Sequence, residues 1–177
     1  MAKQLILKDL FGKPIHIEFT QQNTTSDAGL VFAQQIIQKN NMGTRISACI
    51  EDRRHQLMVT HEQNEQVEQR LLQLTAGYED VSDSKTLRID PLLSRLILEP
   101  KNREKKQDKK QTELSSSLTL CRMGNRVDRG AIKNMINLQV DLYLERNSSR
   151  FQEQIKSNGS LLICMDLDTT DLETHGQ

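Results

Sequence analysis

Residues 60–77 read T-H-E-Q-N-E-Q-V-E-Q-R-L-L-Q-L-T-A-G. Thr60, followed three residues later by Gln63, makes a capping-box pattern that would satisfy two orphan N–H groups of a helix start. Val67, Leu71 and Leu74 then recur at the spacing of one helix face. Gly77 ends the run, because glycine takes the left-handed backbone that follows a helix at no steric cost. A helix closing at Gly77 is therefore expected, with those three side chains as its buried stripe.

Further helices are expected on both sides. Downstream, Asp90-Pro91 is a start signal: the carboxylate caps, and proline takes the first helical position. Leu92, Leu93, Leu96 and Ile97 supply that helix with an apolar face. Upstream, Thr24-Thr25-Ser26-Asp27 offers an N-cap, Leu30, Ala33 and Ile37 follow at helical spacing, and Asn41-Met42-Gly43 closes the segment. Nearer the start, Ile15, Ile17 and Phe19 alternate with His16 and Glu18. The turn Phe11-Gly12-Lys13-Pro14 precedes them, which is a hairpin pattern.

Beyond residue 98 the chain changes character. Lys101, Arg103, Lys105, Lys106, Lys109 and Lys110 crowd a stretch with almost no apolar residue. Such a run reads as a solvated linker or as a segment that meets a DNA backbone. Ser115-Ser116-Ser117 then leads into a short helix with Leu118, Leu120, Cys121 and Met123, and Gly124-Asn125 marks a turn. Asp128 caps a longer helix with Ile132, Met135, Ile136, Val140, Tyr143 and Leu144 on one face. Asn147-Ser148-Ser149 and Ser157-Asn158-Gly159 are expected to break it. The pair has the outline of a helix-turn-helix; Arg122, Arg126 and Arg129 sit at its turn and join Lys105, Lys106, Lys109 and Lys110 as candidate DNA contacts.

The last apolar run, Leu161-Leu162-Ile163-Cys164-Met165, suits a strand buried on both faces. It ends in Asp166-Leu167-Asp168-Thr169-Thr170. Two carboxylates two residues apart point to the same side of a strand, and Mg²⁺ is usually held by one or two carboxylates plus substrate phosphates. Three readings stay open on spacing alone. The aspartates can belong to a ribonuclease-H-like nuclease core. They can belong to a haloacid-dehalogenase-like phosphotransferase, with Asp166 as nucleophile and Asp168 as acid/base. Or they form an acidic turn. Position favours the first, since the phosphotransferase motif normally opens its domain.

Bulk composition neither demands nor forbids nucleic acid. Lys+Arg and Asp+Glu both number 24, so the formal net charge is zero, and any basic surface must come from local clustering. Cys49, Cys121 and Cys164 show no C-x-x-C spacing, which argues against a zinc ribbon or a disulfide framework and for inert thiols. No apolar run approaches the ~20 residues of a membrane span, and Met1-Ala2-Lys3 does not open a signal peptide. A cytoplasmic protein with no membrane partner is expected.

Several blocks, in order, resemble the DDE-type transposases of bacterial insertion sequences, in particular the insertion-sequence-1380 group. They are Ser26, Asp27 and Gly29; Val59-Thr60-His61 leading to Arg70; Gly77-Tyr78-Glu79-Asp80 with Asp83; Leu87-Arg88-Ile89-Asp90-Pro91; Ser117, Thr119, Leu120, Arg122 and Asn125; and Asp166-Leu167-Asp168-Thr169-Thr170-Asp171 with His175-Gly176. Gly124 stands where the pattern has Glu.

The resemblance implies a mainly α chain. An N-terminal β-hairpin and a helical DNA-binding-type region would precede the first strand of an incomplete ribonuclease-H-like α/β domain. The expected divisions are 1–22 hairpin, 23–98 helical domain, 99–114 basic linker, 115–156 helix-turn-helix-like segment and 157–177 catalytic-domain strand. The implied chemistry is metal-dependent cleavage and transfer of DNA at terminal inverted repeats. Two aspartates and a glutamate would hold Mg²⁺ or Mn²⁺. Asp168 stands in the D-x-T position of the first metal carboxylate, with Asp166 as second choice. The other two acids are not in this sequence, so the chain reads as a truncated transposase, inactive alone, that at most binds DNA, with self-association as a further expected partner interaction. A small non-enzymatic helix-turn-helix-like DNA-binding protein is the alternative, and a phosphotransferase remnant a further one.

Overall fold

The computed structural model describes residues 5–10, 13–17, 25–104 and 113–160. Among them the chain is mainly α-helical. Leu5–Leu10 (β1) pairs antiparallel with Lys13–Ile17 (β2), with Leu7 opposite Ile15 and a register shift between Leu7 and Leu10. The helices are α1 Leu30–Lys39, α2 Met42–Ala48, α3 Gln63–Thr75, α4 Ser84–Leu87, α5 Pro91–Glu104, α6 Ser117–Gly124 and α7 Arg129–Asn158. Single 3-10 turns lie at Gln56–Met58 and Val81–Asp83. The chain divides into two units, 1–138 and 139–177.

Helix α3 starts later than its sequence predicts. Glu62, not Thr60, is the N-cap, in extended conformation, and the Glu65 carboxylate accepts from the Glu62 N–H at 2.7 Å. A carboxylate at the third helical position also suits the positive end of the helix dipole, an advantage that Gln63 opposite Thr60 lacks. Gly77 closes the helix as expected, at φ +89°.

The buried face of α3 differs from the predicted stripe. Val67 is buried and Leu71 half-buried, but Leu74 is 50% exposed, while Leu72 is fully buried. The rest of the inward surface is polar: Gln63, Gln66, Gln69 and Gln73 are all buried. Their spacing of three, three and four places them on one face.

Each of these glutamines ties a different segment to α3. Gln63 Nε2 donates to the carbonyls of Ser47 and Ile50 at 3.0 and 2.8 Å, fixing the end of α2. Gln66 Nε2 donates to the His61 carbonyl at 3.0 Å. Gln69 donates to the Ser115 carbonyl and accepts from the Ser115 N–H, both at 3.0 Å, an amide clamp 46 residues apart in sequence. Gln73 exchanges hydrogen bonds with the Ser84 hydroxyl at 3.0 and 3.3 Å. From α1, Gln34 reaches Glu68 of α3 and the Leu96 carbonyl of α5.

Apolar packing surrounds this row. Leu30, Val31 and Ile37 of α1 meet Leu72, Leu87, Leu114 and the α5 residues Leu93, Leu96, Ile97 and Leu98 in one core. Val67 with Leu120 and Met123 of α6 forms a second. At Gly43 of α2 the Glu68 side chain of α3 occupies the space that an added Cβ would take.

Other boundaries follow local chemistry. Asp90 accepts from the Leu92 and Leu93 N–H groups at 2.9 Å, as its Asp-Pro signal predicts. Ser116 caps α6 through the Thr119 N–H, and Asp128 caps α7 through the Ala131 N–H at 2.8 Å. The Thr24–Asp27 signal does not cap α1. That helix starts at Leu30 with Gly29 before it, because the Asp27 carboxylate is engaged by the Tyr78 hydroxyl at 3.1 Å. Asn41, at φ +49°, separates α1 from α2, and Gly43 lies inside α2 rather than ending α1. Helix α5 runs on to Glu104, into the stretch expected to be a linker.

Asn147-Ser148-Ser149 does not break α7, which runs 30 residues to Asn158. Asn147 instead donates from its side chain to the Tyr143 carbonyl one turn back at 2.8 Å, and the Tyr143 and Phe151 rings lie 5.9 Å apart along the helix. The expected closing strand at 161–165, with Cys164 and His175, lies outside the described residues. Of the other thiols, Cys49 is half-buried and Cys121 is exposed.

The amide clamp makes a prediction that inverts the apolar reading of α3. Gln69→Ala leaves the buried N–H and C=O of Ser115 unpartnered and is expected to cost about 2–4 kcal/mol. Leu74→Ala removes a half-exposed side chain and is expected to cost less than about 1 kcal/mol. Urea unfolding of the two variants measures the difference, and equal losses would refute the clamp's role.

Candidate nucleic-acid interface

The loop between α2 and α3 is charged and internally braced. Arg54 forks onto Asp52, with Nε to Oδ1 and Nη2 to Oδ2 both at 2.7 Å, and its Nη1 donates to the His61 carbonyl at 2.9 Å. Bidentate guanidinium–carboxylate pairing fixes direction as well as charge. The hydrogen bond from Arg54 holds the Asp52 carboxyl down at about 2, against the opposing effect of burial. Arg126 reaches into the same region and donates to Gln63 Oε1 at 3.0 Å; burial and the neighbouring Arg54 charge lower its pKa. Arg53 pairs with Glu51 at 2.5 Å on the surface.

With its base fixed, the loop projects outward. The 3-10 turn Gln56–Met58 presents Leu57 and Met58 to solvent at 92% and 84% exposure. Behind them opens a cavity of about 570 Å³, walled by Arg54, His55 and residues 58–61 of the loop, by Gln66 of α3 and by Thr119 and Arg122 of α6. His61 is half-buried there, and burial lowers its pKa, favouring the neutral ring. Among the described residues no carboxylate lines the cavity. The arrangement sets one exposed arginine, Arg122, beside mixed polar and apolar walls, chemistry that an anionic group would match.

The sequence-selected residues fall into three sets. Arg122 lines the cavity and is exposed. Arg129 is exposed in the first turn of α7, whereas Arg126 is turned inward. Lys105, Lys106, Lys109, Lys110, Asp166 and Asp168 lie outside the described residues. Sequence reasoning missed Arg54, His55 and Gln66. The signal was present in Glu51-Asp52-Arg53-Arg54, where acid and base stand two apart and pair.

Arg70, by contrast, is structural: it donates to Gln73 Oε1 and to the carbonyls of Tyr78 and Glu79, closing the end of α3. Among the described residues no group of three His, Cys, Asp or Glu side chains could hold a metal ion. Asp80 is occupied in capping the Ser82 N–H at 2.7 Å. The described residues therefore do not fit a two-metal centre. Nor is any described helix long and apolar enough to cross a membrane.

The sequence pattern of the family described as Transposase DDE domain group 1 matches residues 7–177. The chain belongs to that family. DDE transposases generally use divalent metal ions, and membership implies DNA as a partner. No curated protein and no solved structure matches this transposase chain.

The braced loop fixes how stability depends on pH. His61 has a lowered pKa in the fold, so its contribution is present above the unfolded value of ~6.5 and is lost as pH falls below it. Asp52 is also lowered, so its contribution holds above its unfolded value and is lost as pH falls from about 4 to about 2. Asp52→Asn is expected to remove at most about 2 kcal/mol at neutral pH. The gap between variant and wild type, read from denaturant midpoints, should close between pH 4 and 2. A gap independent of pH would show that the charge is not responsible.

Proposed function

We propose that this transposase engages DNA through the face formed by loop 51–61 and α6. DNA cleavage and joining are the activity that it serves. Arg122 carries the reading: it is exposed at the cavity rim and has no carboxylate partner among the described residues. Arg54 and Arg126, tied up internally, shape that face. Arg129 adds a second exposed cation, and Lys105, Lys106, Lys109 and Lys110 extend the contact along the phosphate backbone. The terminal inverted repeats of an insertion sequence are the cognate DNA, in keeping with the ordered blocks that resemble the insertion-sequence-1380 group. Asp168 is the first metal carboxylate, with Asp166 as its neighbour, and the metal is Mg²⁺ or Mn²⁺.

Fluorescence anisotropy with a duplex carrying the inverted repeat tests the DNA contact. Each phosphate contact removed lowers the slope of log affinity against log salt by about one. Arg122→Ala and Arg129→Ala are each expected to do so, while Arg53→Ala, already paired with Glu51, leaves the slope unchanged. Unchanged slopes for the first two would reject this face. For the metal, Asp168→Asn is expected to weaken Mn²⁺ binding, followed by electron paramagnetic resonance, more than Asp166→Asn. The opposite order would exchange their roles.

A further inference from the structure

The second half of α7 carries a sorted surface that neither the core nor the cavity uses. Val140 and Tyr143 are each 52% exposed, Ile155 is 47% and Leu144 39% exposed, and Asn147 and Phe151 are half-buried. Successive residues of a helix are rotated by about 100°. Val140, Leu144, Asn147, Phe151 and Ile155, at spacings of four, three, four and four, therefore share one stripe, with Tyr143 at its border. The Tyr143 and Phe151 rings, 5.9 Å apart, already pack along it. Leu142, Glu153 and Lys156 fall on the opposite side of the helix.

Charges beside the stripe are divided by sign. By the same rotation, Asp141 and Glu145 lie along one edge, and Arg146 and Arg150 lie along the other. DNA does not match a stripe with an acidic edge. Nor does a membrane surface, whose helices carry Lys and Arg across the polar face. The partner that fits is a helix with an apolar stripe and both kinds of edge, and a second copy of α7 supplies it. In a parallel pair, related by a two-fold axis along the helices, the acidic edge of each copy faces the basic edge of the other. In an antiparallel pair each edge would face its own kind. Asn147, in mid-stripe, meets the same residue of the second copy only in the parallel arrangement, where a single asparagine in an apolar seam specifies register.

We propose that two copies of the chain pair in parallel through residues 140–155 of α7. Asp141 and Glu145 of each copy face Arg146 and Arg150 of the other, and Asn147 fixes the register. At 1.5 Å per residue the seam is about 24 Å long. So short a contact gives a concentration-dependent dimer rather than an obligate one. The pairing uses no residue of the DNA face described above, so either can fail without the other.

Sedimentation equilibrium of the whole chain without DNA tests the pairing. The unaltered chain is expected to pass from monomer to dimer as its concentration rises. Val140→Lys combined with Leu144→Lys puts charge into the seam and is expected to weaken the dimer by about a hundredfold, with helical circular dichroism retained because both side chains are exposed. Glu145→Arg sets a cation against Arg150 of the second copy and is expected to weaken the dimer about tenfold; adding Arg150→Glu restores it. That loss and its rescue alter no apolar residue, so they carry the test should the lysine variant unfold. A tighter dimer on Glu145→Arg would mean that the acidic edges face each other and would overturn the parallel arrangement. A monomer at every concentration, or a dimer that the two lysines leave intact, would overturn the surface itself.

Discussion

One face of α3 ties together the segments packed around it, and it does so with amides. A buried amide without partners is destabilising, but a fully bonded one fixes both distance and direction. Gln63, Gln69 and Gln73, bonded at both ends of the amide, and Gln66, bonded through its nitrogen, each reach a segment that is distant in sequence or irregular in backbone: the end of α2, the segment at Ser115, the start of α4, and the loop carrying His61. Leucines at those positions would bury as much surface and say nothing about register. The Gln69 clamp in particular imitates one rung of a β-ladder, holding Ser115 so that Ser116 can cap α6. The position of α6, and with it of Thr119 and Arg122, depends on that rung.

The family blocks in the sequence acquire physical meaning once they are located. Asp27 from the first block and Tyr78 from the Gly-Tyr-Glu-Asp block are hydrogen-bonded to each other. Arg70 closes the turn that presents Tyr78. The Arg88 carbonyl accepts from the Leu114 N–H, and its guanidinium pairs with Glu113, tying the Leu-Arg-x-Asp-Pro block to the entrance of α6. These residues look like chemistry when read along the chain. In space they are the joints of a scaffold, and among the described residues Asp27, Asp80 and Asp90 are occupied by hydrogen bonds of turns and caps.

Much of the helical order was legible beforehand, and the reasons for the misses are specific. Asp90-Pro91, Ser116 and Asp128 cap as their types predict, because a cap is a local device that distant residues cannot easily override. The stripe on α3 was misjudged, because periodicity counts apolar residues and treats glutamine as surface. The four glutamines have the same periodicity, but only their partners, up to 46 residues away, bring them inside. Asn147 was read as a breaker, although a side chain that bonds back one turn is compatible with a helix. At the candidate site, Arg122 could be picked out as an isolated cation. Gln66 could not, since nothing in a sequence shows that one end of an amide lacks a partner.

Charge sorting explains how a chain with no net charge can still offer a cationic face. Of the arginines near the cavity, Arg53 and Arg54 are neutralised by acids two residues before them, and Arg126 is drawn inward against Gln63. Pairing of this kind removes their long-range field but keeps their geometry, since a bidentate fork holds a loop more firmly than a single contact. The same pairing leaves Arg122 as the charge a ligand meets first at the rim. A surface lined with unpaired arginines would attract any polyanion. One exposed cation beside an apolar wall instead favours a ligand that matches both features, which is how polar recognition becomes selective rather than merely attractive.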